Sequence, residues 1–108
     1  MATIAIPPEW IPVGRAYYED KLSAAVELAD TPDGGDALPA TANTAIIYVT
    51  GQPLYMETDG TAATTSQPKV PIGPIVLENQ RTLLTTVSFL ETAASGRLDL
   101  FYFASPAG

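Results

Sequence analysis

From residue 44 onward the chain alternates short apolar runs with turn residues. TAIIYVT (44–50) is rich in β-branched side chains and predicts a strand. Gly51 and Pro53 then bend the chain into LYMET (54–58). Asp59-Gly60 predicts a hairpin-closing turn, and TAATTSQP (61–68) reads as a polar loop. KVPIG (69–73) and PIVLE (74–78) are short strands, which Pro71 and Pro74 confine to edge or bulge positions. RTLLTTVSFLETA (81–93) predicts one long strand, or two with a bulge. Ser95-Gly96 turns it into RLDLFYF (97–103), and the two segments are expected to pair as an antiparallel hairpin.

The first 43 residues follow a different pattern. Pro7, Pro8 and Pro12 keep residues 1–14 from being a helix or a central strand, because proline lacks the amide donor and fixes φ. Yet Ile4, Ile6, Trp10, Ile11 and Val13 make the segment apolar. It reads either as a loosely packed terminus or as an extended arm, and Trp10 favours the arm because disordered tails are depleted in aromatics. Residues 15–30 fit a helical spacing through Tyr18, Leu22, Ala25, Val26 and Ala29. They also fit alternation over 22–29, which the β-rich remainder favours. DTPDGGDALPATAN (30–43) is turn-rich.

Seven or eight short strands bounded by Gly, Pro and Asx turns predict an all-β fold. The expected architecture is an antiparallel β-sandwich, jelly-roll-like, over residues 15–108, preceded by an extended Pro-rich arm over 1–14. In the last strand, Leu98, Leu100 and Tyr102 share one face and are expected to line the core. The opposite face carries Arg97, Asp99, Phe101 and Phe103. In a two-layer fold only one face of each sheet meets the core. Phe101 and Phe103 are therefore expected to face the arm or a neighbouring copy.

Composition narrows the chemistry. At 108 residues and 46% apolar, the chain can hold a core without staples. Twelve acids against five bases give a net charge of −7, which argues against nucleic acid or an anionic membrane as partner. Cysteine and histidine are both absent. Disulfides, thiolate metal sites and histidine-based triads are therefore excluded, and the commonest general base at neutral pH is missing. The first basic residue is Arg15, and no charged start precedes an apolar run. The chain is expected to be made without export.

Two acidic groups are candidates for chemistry. Asp30, Asp33 and Asp36 recur every three residues around Gly34-Gly35. A calcium loop wants carboxylates at two-residue spacing and a later Glu, so the plainer reading is a solvated turn. Glu57 and Asp59 flank a turn as a glycosidase pair could, but only Tyr55 is an aromatic near them. The plainer reading is a charged edge. No catalytic, cofactor or metal residues are assigned, and the chain is expected not to be an enzyme. The residues of interface type are Ile4, Ile6, Trp10, Ile11, Tyr17, Tyr18, Phe101 and Phe103.

GQPLYMETDGT, a Thr/Ala-rich loop, a Pro/Ile/Gly strand and FLETAASGRLDLFYF follow one another over residues 37–103. In this order they resemble small virion structural proteins of tailed bacteriophages, of the capsid cement or decoration type. Relatives often carry Arg beside the central aromatic of the D-G-T strand; here Tyr55, Met56 and Glu57 stand in that place. The resemblance implies a part of the phage head, assembled in the host cytoplasm. Such a protein would be a homo-oligomer, with a trimer favoured, and would bind the major capsid protein without a cofactor. The alternative it leaves open is a head-fibre or tail accessory module that binds a host-surface glycan or receptor. That module would use a shallow aromatic site such as Tyr55 with Trp10.

Overall fold

A computed structural model describes residues 6–106; Ile4, one of the expected interface residues, lies outside them. Two antiparallel sheets pack face to face. Their strands are β1 (Ile11–Tyr18), β2 (Val26–Glu27), β3 (Gly34–Gly35), β4 (Thr44–Thr50), β5 (Leu54–Glu57), β6 (Lys69–Val70), β7 (Gly73–Leu77), β8 (Ser88–Glu91) and β9 (Arg97–Ala104). A short helix, α1, spans Arg81–Thr86. The five-stranded sheet runs β3-β1-β9-β4-β7 and the four-stranded sheet β2-β8-β5-β6.

This order is that of a jelly roll. The chain runs outward through β1, β2, β4 and β5, turns, and returns through β6, β7, β8 and β9. The returning strands pair with the outgoing ones as 5·6, 4·7, 2·8 and 1·9. The added pairs 4·9, 5·8 and 1·3 complete the two sheets. Such a fold is a long hairpin rolled into two layers. The expected all-β sandwich is what the chain forms.

The core lies between the sheets. Alternate residues of β4 (Ala45, Ile47, Val49) and β9 (Leu98, Leu100, Tyr102) enter it from one side. Leu54 and Phe89 enter it from the other. Tyr18 is fully buried, and its hydroxyl donates to the carbonyl oxygen of Asp30 at 2.6 Å. Tyr102 is equally buried, but its hydroxyl has no hydrogen-bond partner among the described residues. Burial raises the pKa of both phenols above the ordinary tyrosine value.

Four sequence expectations are corrected. First, the strand expected over 22–29 is only the short β2 (Val26–Glu27), and a longer strand precedes it. β1 begins at Ile11, inside the segment read as an arm, and a 3₁₀ turn occupies Asp20–Ser23. Pro12 is tolerated because β1 pairs only with β9 there, next to a bulge between Pro12 and Gly14.

Second, residues 81–86 are helical. Six residues cannot hold a helix by propensity alone. Here Leu84 is buried in the core, and the Arg81 guanidinium donates to the carbonyls of Pro39 and Ala42, both at 2.7 Å.

Third, β8 and β9 are not a hairpin. β8 pairs with β5 and β2, whereas β9 pairs with β1 and β4. The link between them crosses from one sheet to the other, beside the β4–β5 link that crosses at the same end. Gly51, at φ +76°, touches the Ser95 carbonyl there, and a Cβ would collide with it. Fourth, Asp59-Gly60 opens the long loop 58–68 and does not close a tight turn.

Candidate functional site

The outward face of the five-stranded sheet is unusual because it is apolar. Its centre is β9, whose outward residues are Arg97, Asp99, Phe101 and Phe103. Register places Ile46 beside Phe101, Tyr48 beside Asp99, and Val76 beside Ile46. Arg15 and Tyr17 of β1 complete the face opposite Phe101 and Asp99.

Part of this face is covered by the chain itself. A turn closed by the Trp10 amide on the Pro7 carbonyl (3.1 Å) folds Trp10 back over the sheet. Its ring lies 5.5 Å from Phe103, tilted by 51°. Trp10, Phe103 and Ile46 are all buried and form a second apolar cluster separate from the core. Proline at 7 and 8 restricts the segment before ordering and so reduces the entropy lost when it docks.

The other part stays open. Phe101 is half-buried, edge-on to Tyr48 at 5.9 Å, with the Arg15 guanidinium 5.7 Å from its ring centre. Ile6 is half-exposed and stands between two shallow troughs. One, of about 430 Å³, is lined by Ile6, Ile46, Tyr48, Thr50, Asp99 and Phe101. The other, of about 410 Å³, is lined by Ile6, Pro12, Gly14, Arg15, Phe101, Tyr102 and Phe103.

Charges at the rim are tied down. Arg97 grips Asp99 with Nε to Oδ2 at 3.0 Å and Nη2 to Oδ1 at 3.1 Å, and reaches Glu19 Oε2 at 2.7 Å. Its guanidinium stacks 4.3 Å above the Tyr17 ring. That ring lies against Gly34, where a Cβ would enter it.

The structure sorts the expected interface residues. Ile6, Trp10, Tyr17, Phe101 and Phe103 gather on or over this one face. Ile11 is 64% exposed on β1. Tyr18 points into the core and offers nothing to a partner. Phe103 is covered within the monomer by Trp10, leaving Phe101 as the open aromatic of the pair. Ile46, Tyr48 and Val76 were not singled out from the sequence. Their signal was present in TAIIYVT, which is apolar on both faces just as RLDLFYF is.

The other candidates serve local structure. Asp33 Oδ2 accepts from the amides of Glu19 (2.6 Å) and Asp20 (3.1 Å), and Asp30 Oδ2 accepts from the amide of Glu27 (2.8 Å). Among the described residues no three acidic side chains gather as a metal site would require. Glu57 accepts from the amides of Thr58 and Asp59. The hydroxyl and amide of Thr61 hold the Asp59 carboxyl below the usual carboxylate range. Asp59 is thus a carboxylate at neutral pH with no proton to donate. Tyr55 lies on β5 with the Lys69 ammonium 5.8 Å from its ring centre, on the four-stranded sheet, whereas Trp10 covers the five-stranded one. The two do not form a joint aromatic site. No described helix is long and apolar enough to cross a membrane.

Comparison with protein-family models, with curated proteins and with solved structures finds no match.

Proposed function

We propose that this chain is a non-enzymatic structural subunit of a tailed-phage virion, a cement or decoration protein that binds the major capsid lattice and stabilises the head. The observation that carries the reading is the half-covered apolar face around Phe101. A sheet surface facing water is normally polar, and large apolar patches on it mark contacts with other proteins. The jelly roll adds support by analogy alone, since viral capsid domains, lectins and cupins all use it. The resemblance over residues 37–103 points in the same direction.

The docking surface in this reading is the open part of the face, with Phe101 as anchor and the Ile6–Trp10 segment as rim. The test is co-sedimentation of the purified protein with phage capsids that lack it, followed by heating. Saturable binding and a higher capsid melting temperature are expected, because a ligand that binds only the assembled shell stabilises it. Removal of residues 1–9, which spares Trp10 and β1, is expected to weaken binding. Absence of co-sedimentation at saturating protein would sink the reading.

A further inference from the structure

We propose that the outward face of the five-stranded sheet pairs with the same face of a second copy of this chain. This rests on reading the face as a docking surface and names what covers it in the free protein; the capsid contact takes the second copy's place on assembly.

The argument is electrostatic. Each copy carries −7, so two copies repel across most of their surfaces. The strands of the four-stranded sheet contain Glu27, Glu57 and Glu91 against Lys69. Those of the five-stranded sheet contain only Arg15, Arg97 and Asp99. With Glu19, which Arg97 grips, and Glu9 in the rim segment, the face holds two bases against three acids, a net −1 of the molecule's −7, so most of the excess negative charge lies elsewhere. A copy can approach there with less repulsion than on the rest of the surface. Both signs are present on it, so a two-fold contact can match the face to itself.

Size sets the strength. Four strands spaced about 4.8 Å apart, with the Ile6–Glu9 segment at the rim, offer on the order of 500 Å² per copy. A pair would bury about 1,000 Å², the lower end for a specific interface. Association is therefore expected in the micromolar range and as a two-fold pair, in place of the trimer implied by the resemblance.

The experiment is sedimentation equilibrium of the full chain from about 1 to 500 µM. The wild type is expected to shift from monomer toward dimer, and more readily at high salt, which screens the repulsion. Phe101→Asp is expected to weaken pairing at least ten-fold. Val76→Glu, at a position already 43% exposed, is expected to do the same with little risk to folding. Tyr55→Asp on the other sheet is expected to leave pairing unchanged. A wild type that stays monomeric throughout, or a Val76→Glu variant that pairs as the wild type does, overturns the proposal. So does loss of pairing in Tyr55→Asp alone. A monomer that still co-sediments with capsids would refute only the pairing; a dimer that does not co-sediment would refute only the virion reading.

Discussion

The two sheets cover the same core, yet their outward faces differ. On the four-stranded sheet, Ser88 is buried because the loop 58–68 folds over it. Its hydroxyl donates to the Thr61 carbonyl at 3.0 Å, and the Gly60 amide donates to the Thr86 carbonyl at 3.2 Å. That cover is held by hydrogen bonds, and glutamates and a lysine stand around it. On the five-stranded sheet the cover is Trp10 on Phe103 and Ile46, held by apolar contact, and it stops short of Phe101. Among the described residues the exposed large hydrophobics, Ile6, Ile11, Ile72 and Val76, belong to that sheet, its cover or the residue preceding β7. One face is closed by the chain's own loop; the other stays open at Phe101.

The sharpest test of this contrast truncates one outward aromatic on each face. Trp10→Ala is expected to cost about 3 kcal/mol, since it uncovers two buried side chains. Tyr55→Ala on the other face should cost less than about 1 kcal/mol, as a half-exposed substitution does. Urea unfolding measures both, and equal losses would abolish the distinction.

The core beneath supplies an internal comparison. Tyr18→Phe loses the bond to Asp30 and is expected to cost about 1 kcal/mol. Tyr102→Phe removes a buried hydroxyl without a partner and is expected to be neutral or stabilising by up to ~1 kcal/mol. A clear loss in Tyr102→Phe would mean that the hydroxyl is satisfied. Both phenols have raised pKa values in the folded protein. The stability this represents is complete below the ordinary tyrosine pKa and is lost as pH climbs toward the folded value. Both should stay protonated until alkaline unfolding, which absorbance at the phenolate band would follow.

Ser88→Ala is expected to cost about 1 kcal/mol. It should speed amide exchange in loop 58–68 while leaving the Trp10 side unchanged; a response on both sides would couple the two covers. The smallest effect is at Asp59, whose folded pKa is depressed by Thr61. Its contribution to the loop is present above the ordinary aspartate pKa and lost as pH falls through the folded value. An NMR titration should place Asp59 below an ordinary aspartate, and Thr61→Val should move it back up.

Much of this was legible in the chain. Proline and glycine punctuation, β-branched runs and alternation were enough for an antiparallel sandwich, for the inward set Leu98, Leu100 and Tyr102, and for the suspicion about Phe101 and Phe103. These are local signals, because side chains two apart on a strand share a face whatever lies across from them. Tertiary structure decided the rest. Alternation in RTLLTT fits a strand, but Arg81 reaching two distant carbonyls made it a helix. Ser95-Gly96 suggests a turn, but whether that turn joins neighbours in one sheet or crosses between sheets depends on the β4–β5 link lying against it. Trp10 is apolar in any reading, but only the fold of its turn puts it on Phe103 and leaves Phe101 open. Periodicity belongs to a segment, whereas pairing and cover belong to segments far apart in sequence, and residue spacing carries no record of which of them meet.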